Sequence, residues 1–187
     1  MQRDYIVFGA PIIDDSNIQS VVDTLKSGWI GTGPKSHLFE QKIAQYKSVS
    51  HAIAVNSCTA ALHLSLIALQ LQPGDEVITS SMTFCATVNA IIHSGATPVL
   101  VDCDPYTFNI TADAIASKIT PKTKAIIPIH FAGYPCDMDS IMALAKAHNL
   151  YVVEDCAHAL ETTYNGQPVG SFGDFGCLSF YVTKNLC

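Results

Sequence analysis

The stretch Tyr151-Val-Val-Glu-Asp-Cys-Ala-His158 decides the fold, because a short β-branched run ends in two carboxylates and a histidine. Such a run predicts a buried strand of a parallel sheet. Ligands of open α/β sheets bind just outside the carboxyl ends of the strands, so Asp155 is expected to face a ligand, and His158 could reach the same ligand. A solvated loop carboxylate or a helix cap is the alternative for Asp155.

Downstream, the run Cys177-Leu-Ser-Phe-Tyr-Val-Thr-Lys-Asn185 carries Lys184 in an apolar, β-like segment. Burial lowers the pKa of a lysine, because the charged form loses its hydration. A neutral lysine amine can attack a carbonyl and form a Schiff base. The sequence therefore predicts Lys184 as a nucleophile.

Upstream, short β-branched runs alternate with helical stretches, which is typical of a parallel α/β sheet with helices on its faces. We found no repeat or linker, so residues 1–187 are expected to form one domain. Strands are predicted over residues 52–55, 76–79, 98–101, 125–129, 151–154 and 177–180, and helices over residues 15–27, 36–47, 60–71, 83–94, 111–119 and 139–148.

Composition narrows the class of partner. The formal charge is −6 and charged residues make up only 14% of the 187-residue chain, without a basic stripe. This disfavours nucleic acid or an anionic membrane and favours small molecules. The low charge also predicts a surface that is apolar in places, which indicates either an interface or a missing piece of the protein. Seven cysteines without a C-x-x-C pair indicate reduced, buried thiols, and the absence of an apolar signal core favours a cytoplasmic location.

Two strand-to-helix turns carry further candidate residues. Asn56-Ser-Cys-Thr-Ala-Ala-Leu62 predicts a phosphate cup, because helix N-terminal N–H groups attract anions. The alternative is that Ser57 or Thr59 only caps the helix. Phe84 follows another predicted strand, where its ring could stack on a flat cofactor or pack in the core.

Three other interpretations are weaker. A metal site at Asp155, Cys156 and His158 lacks a further ligand at a familiar spacing. The segment around Gly28 and Gly33 imitates a phosphate-binding P-loop, but a proline precedes its lysine and a helix precedes the loop. A Rossmann-type nucleotide-binding domain is disfavoured because no glycine fingerprint follows the first strand.

Pyridoxal phosphate (PLP) requires four features together: a phosphate-binding turn, a carboxylate, an aromatic ring for stacking and a desolvated lysine. In these motifs the chain resembles the DegT/DnrJ/EryC1/StrS family of PLP-dependent nucleotide-sugar aminotransferases. The motifs that carry the resemblance are Ser27-Gly-Trp-Ile-Gly-Thr-Gly-Pro34, Asn56-Ser-Cys-Thr-Ala-Ala-Leu62, Pro73-Gly-Asp-Glu-Val-Ile78, Gly95-Ala-Thr-Pro-Val99, Glu154-Asp-Cys-Ala-His158, Gly170-Ser-Phe-Gly-Asp174 and Ser179-Phe-Tyr-Val-Thr-Lys-Asn185.

The resemblance implies a fold-type-I PLP-dependent transferase large domain. This domain has a mostly parallel sheet of seven strands sandwiched by helices, and residues 1–187 would form it, incomplete at the C-terminal end and without the C-terminal small domain. By motif, Lys184 would hold PLP covalently and move a proton, and Asp155 would pair with the pyridinium nitrogen. The other implied cofactor-binding residues are Ser57, Cys58, Thr59 and Ser179 at the phosphate, Phe84 stacked on the ring, and His158 near the 3′-oxygen.

The implied reaction moves an amino group from an amino acid, usually L-glutamate in this family, to the keto sugar of a nucleotide sugar in cell-surface polysaccharide or amino-sugar biosynthesis. A homodimer with sites at its interface is implied, and no metal. Because relatives continue about as far again, these residues are expected to be either a fragment of a longer enzyme or a truncated, catalytically inactive remnant that acts only as a binding or dimerisation module. We favour the aminotransferase.

Overall fold

The computed structural model of the chain describes residues 9–186. These residues group into two compact units, one made of residues 9–54 with 180–186 and the other of residues 55–179. None of the helices in the described part is long and apolar enough to cross a membrane. The prediction that residues 1–187 are one incomplete large domain stays a prediction.

The first unit contains helix α1 (Asp15–Ser27) and helix α2 (Pro34–Lys47). Asp14 caps α1, since its carboxylate accepts the N–H of Asn17 at 2.9 Å, and Gly28 ends the helix at φ +76°. The predicted start of α2 at residue 36 is wrong. The helix begins two residues earlier, because Pro34 has the backbone angle that a first helical position needs.

The predicted strand over residues 52–55 is also wrong. These residues have no regular structure, and the side chain of Ile53 is 81% exposed. The N–H of Ala54 donates to the Glu40 carboxylate at 2.9 Å instead of to a neighbouring strand. The side chain of Glu40 on α2 therefore accepts a backbone hydrogen bond that a neighbouring strand would have accepted in a sheet.

The second unit is an α/β sandwich, as predicted. Its strands are β1 (Glu76–Ser80), β2 (Thr97–Val101), β3 (Thr123–Ile127), β4 (Tyr151–Cys156), β5 (Thr163–Tyr164), β6 (Gln167–Pro168) and β7 (Phe175–Leu178). Five strands form one all-parallel sheet in the order β2-β1-β3-β4-β7, while β5 and β6 form a separate antiparallel pair. The main sheet of the described residues thus has five strands, whereas the resemblance implies a sheet of seven.

Helices cover both faces of this sheet. They are α3 (Cys58–Ala68), α4 (Cys85–His93), α5 (Ala112–Ala116) and α6 (Met138–His148). Successive strand residues point to opposite faces, and so Val152 and Val153 join different core clusters. One cluster contains Leu62 of α3 and Ile91 of α4, and the other contains Ile115 of α5 and Ile141 of α6.

The last strand ends earlier than predicted. β7 covers Phe175–Leu178, and the chain from Tyr181 to Asn185 forms turns. The placement of Lys184 in a β-like segment is therefore wrong. Its N–H donates to the Tyr181 carbonyl at 2.7 Å, as in a turn, and its side chain is half-buried.

The six cysteines in the described range are free thiols. Cys136 and Cys177 are buried as predicted, but Cys85 is exposed, because it lies in the first turn of α4 beyond the core. Burial raises the pKa of both buried thiols to about 12, and nearby carboxylates add to it. The nucleophilic thiolate is then roughly 10⁻⁴ of each buried thiol at pH 8.

We expect iodoacetamide at pH 8 to alkylate Cys85 in the folded protein and to spare Cys136 and Cys177. Peptide mass spectrometry before and after denaturation in urea measures this, since all three should react once the chain is unfolded. Alkylation of Cys177 in the folded protein at the rate of Cys85 would contradict this account.

Candidate active site

Asp155 lies near the carboxyl end of β4, as predicted, and its side chain is only 6% exposed. One carboxylate oxygen, Oδ2, accepts the hydroxyl proton of Thr87 at 2.8 Å, and Oδ1 accepts the N–H of Ala157 at 3.1 Å. The backbone of Asp155 bonds to Pro128 and His130 of the chain that continues β3. Asp155 is thus a rigidly held, nearly buried acceptor, and not a solvated loop carboxylate.

The segment predicted as a phosphate cup forms the N-cap and first turn of α3. Ser57 is the N-cap residue, and its hydroxyl accepts the N–H of Ala60 at 3.1 Å, so the capping alternative holds for this side chain. Cys58 and Thr59 are the first two residues of the helix. Because N–H groups of a first turn point out along the helix axis, this end still attracts an anion through its backbone.

Phe84 is the N-cap residue of α4, and its ring is 77% exposed. This exposure rules out core packing within the described chain. The preceding turn is fixed by the N–H of Met82, which donates to the Ser80 hydroxyl at 3.1 Å. The structure therefore presents an aromatic face at the end of β1.

His158 and Ser179 follow the ends of two neighbouring strands. Cys156 of β4 pairs with Leu178 of β7, so the chain leaves both strands at the same edge of the sheet. His158 is exposed and Ser179 is half-buried. His158 and Ser179 therefore lie with Asp155 at the carboxyl edge of the sheet, where α/β sheets bind ligands. Lys184 belongs to the other compact unit, and its role stays a prediction.

A buried network beside Asp155 was missed by the sequence analysis. Glu154 is fully buried and accepts four hydrogen bonds: from the Nε2 of His130 at 3.0 Å, and from the N–H groups of Gly170, Phe172 and Gly173 at 2.7 to 2.8 Å. His130 is also fully buried, and its Nδ1 accepts the N–H of Cys136 at 3.1 Å. Its proton therefore lies on Nε2, which donates to Glu154.

This network fixes the loop that leads into β7. It also accounts for the one place in the described chain where three metal-binding donor atoms meet, those of His130, Glu154 and Cys156. Both Glu154 oxygens are already occupied by N–H donors, so we assign the cluster as a hydrogen-bond network. The trio considered from sequence, Asp155, Cys156 and His158, does not form such a cluster within residues 9–186.

Burial alone would raise the pKa of Glu154, but the hydrogen bonds from His130, Gly173 and Gly170 outweigh it, and the pKa is lowered below its usual 4.5. The ionised carboxylate therefore stabilises the fold above pH 4.5, and this contribution is lost as the pH falls through the folded-state pKa.

We expect Glu154→Gln to lower the free energy of unfolding by about 3 kcal/mol at neutral pH, because three backbone donors then share a neutral amide. Urea unfolding from neutral pH to below pH 4.5 should show the stabilities of the two proteins converging. The exposed Glu161→Gln variant, a matched control, should change stability by about 0.5 kcal/mol or less. Equal stability of wild type and Glu154→Gln at neutral pH would contradict the assignment.

A cavity of about 520 Å³ lies at the other edge of the sheet. Its walls include Thr123 and Tyr151, the first residues of β3 and β4. None of the candidate residues lines this cavity. We place the site at the carboxyl edge, because the buried acceptor and the exposed aromatic ring both lie there.

Known proteins resemble this chain over nearly its whole length. The model of the DegT/DnrJ/EryC1/StrS aminotransferase family matches residues 11–187. The chain belongs to the DegT/DnrJ/EryC1/StrS aminotransferase family. The spore coat polysaccharide biosynthesis protein SpsC of Bacillus subtilis is 51% identical over 182 residues, which is 97% of this chain and 47% of SpsC.

Solved structures of aminotransferases share the fold of this chain. Spr1654 from Streptococcus pneumoniae in its PLP form matches with a TM-score of 0.92 and 43% identity, covering 97% of this chain and 50% of that one. The aminotransferase from Psychrobacter cryohalolentis matches with a TM-score of 0.92 and 42% identity, covering 97% and 46%. The expected PLP fold-type-I architecture is confirmed. The chain spans about half the length of the relatives it matches.

Proposed function

We propose that the protein is a PLP-dependent aminotransferase of sugar biosynthesis. The observation that carries the proposal is Asp155, a nearly buried carboxylate held by two donors at the carboxyl edge of the sheet. A carboxylate in such a place suits a cationic ring nitrogen, because each charge compensates the desolvation of the other. Spr1654, which has the same fold, was solved in both PLP and PMP forms.

The other residues at this edge fit the cofactor as well. The exposed ring of Phe84 offers a stacking surface, and the N-terminus of α3 at Cys58 and Thr59 offers backbone N–H groups to a phosphate. Ser57 contributes by capping that helix end, and Ser179 would add its hydroxyl to the phosphate. His158 would approach the 3′-oxygen of the ring.

When bound, PLP supplies an electron sink that makes the carbon next to an amino nitrogen acidic. Lys184 would hold the cofactor through its amine and, once released, would take and return the proton at that carbon. Asp155 would keep the ring nitrogen protonated. The chain's own residues thus supply attachment, proton transfer and charge compensation.

We further propose L-glutamate as the amino donor and a nucleotide-linked keto sugar as the acceptor. The name of SpsC supports a role in polysaccharide biosynthesis. The exposed apolar side chains of α3, Leu64 and Ile67, suit burial in a homodimer. A cytoplasmic location fits these soluble substrates.

The test is a single-turnover assay on the PLP-loaded protein. L-glutamate alone should yield 2-oxoglutarate in an amount equal to the protein, and a nucleotide-linked keto sugar should make the production continuous. Bound PLP that converts no amino acid to its keto acid would contradict the aminotransferase and favour the non-catalytic binding module.

A further inference from the structure

A chain of two hydroxyl groups leads to Asp155. The Oγ1 atoms of Thr83 and Thr87 lie 2.8 Å apart, and Thr87 Oγ1 lies 2.8 Å from Asp155 Oδ2. Thr87 is fully buried in α4, and Asp155 lies on β4 of the sheet. Of these two hydroxyl groups, that of Thr87 contacts the carboxylate and that of Thr83 does not.

The acceptor character of the carboxylate decides which of the two hydroxyl groups donates to which atom. An ionised carboxylate only accepts hydrogen bonds, and a hydroxyl has one proton to give. The proton of Thr87 must therefore point at Asp155, and the proton of Thr83 is left to point at Thr87. The alternative acceptor of Thr83, the Phe84 carbonyl, lies farther away at 3.2 Å. Each hydroxyl thus polarises the next toward the carboxylate.

The same turn also holds the exposed aromatic ring. Thr83 and Phe84 are adjacent, and the N–H of Thr87 donates to the Phe84 carbonyl at 3.2 Å. Thr87 thereby connects the residue proposed to stack on the ring with the residue proposed to pair with its nitrogen. Because Thr87 lies in a helix, its χ1 angle is restricted and its hydroxyl has few alternative directions.

We propose that Thr87 is a positioning residue that aims the Asp155 carboxylate at the ring nitrogen of the cofactor, with Thr83 as the hydrogen-bond donor to Thr87. This inference rests on the proposed function. Thr87 does not touch the cofactor in this account, and it acts through Asp155. If Thr87 only tied α4 to β4, its loss would weaken the binding of any ligand at the site, whether or not that ligand has a ring nitrogen.

The two roles separate when cofactor affinity is measured with two ligands, PLP and 1-deazapyridoxal phosphate, whose ring has carbon in place of the nitrogen. Thr87→Val removes the hydroxyl and keeps the shape. We expect it to weaken PLP binding about tenfold and to leave the deaza analogue unchanged, because one hydrogen bond to a charged group is lost. Thr87→Ser, which keeps the hydroxyl, should restore the preference for PLP.

Thr79→Val is the matched control. Thr79 is also fully buried, and its hydroxyl donates to the Ile127 carbonyl at 2.9 Å. This variant should change both affinities equally. A Thr87→Val protein that loses affinity for both ligands alike, or for neither, would overturn the inference while leaving the proposed function intact. A wild type that binds no PLP would overturn both.

Discussion

The Lys184→Ala protein, loaded with PLP, should lose transamination by about 10⁴-fold, because no other group in the account attaches the cofactor or transfers the proton. It should also lack the visible absorption band of lysine-bound PLP. Single-turnover production of 2-oxoglutarate from L-glutamate, followed beside the visible spectrum, measures both effects.

Lys146→Ala is the control for this variant, since Lys146 is exposed in the last turn of α6. Its spectrum and rate should match those of the wild type. Partial rescue of Lys184→Ala by added methylamine would support proton transfer by the missing amine. A Lys184→Ala protein that keeps more than about a tenth of the wild-type rate would refute the role given to Lys184, since general acid–base groups contribute far more than tenfold.

The second large effect is expected at Asp155. Asp155→Asn keeps the size of the side chain and removes its charge, so the ring nitrogen is no longer held protonated. We expect single-turnover transamination to fall by about 10³-fold, which is at the upper end of losses from one preorganised electrostatic group. The same assay measures it, with PLP at saturating concentration.

Asp174→Asn is a matched control for this change. Asp174 accepts the N–H of Val152 at 2.8 Å, near the other end of the same strand β4. Its carboxamide variant should lose some stability, because the hydrogen bond to Val152 is weakened, and should keep the transamination rate within about twofold, because Asp174 is not among the residues proposed to contact the cofactor. Equal rate losses in the two variants would indicate damage to β4 and not the loss of a catalytic charge.

The helices and most of the strands could be predicted because their signals are local. The β-branched runs of β1 to β4 and the Gly28 stop of α1 lie within a few residues of sequence. The strand predicted over residues 52–55 failed because its apolar residues gave no sign that Glu40 would bind the backbone there. Local pattern does not record which distant group satisfies a backbone N–H.

In the candidate site, too, local sequence predicted single residues but not the contacts between distant ones. Asp155 could be placed at a strand end from its own neighbours, but Thr87 is 68 residues away from it and His130 is 24 residues from Glu154. Those pairings arise only when the parallel strands and the helix between them assemble. A clue to the network was available in Gly170 and Gly173. A side chain on Gly173 would meet the Val152 carbonyl at 2.5 Å, which shows how closely the loop packs on β4.

The energetic roles of the two adjacent carboxylates differ. Glu154 points into the unit and is saturated by four donors, so its charge maintains structure. The Asp155 carboxylate accepts two hydrogen bonds, from Thr87 of α4 and from Ala157, and retains lone pairs for a further partner. Alternation along β4 sends these neighbours to opposite faces. One strand thus holds a structural acid beside a proposed catalytic one.

The most direct test of the central claim is reduction of the PLP-loaded protein with sodium borohydride, followed by peptide mass mapping. Reduction fixes a pyridoxyl group on the lysine that holds the cofactor. We predict this group on Lys184 and on no other lysine, with the label lost in Lys184→Ala. A pyridoxyl group on a different lysine, or bound PLP that leaves every lysine unmodified, would contradict it.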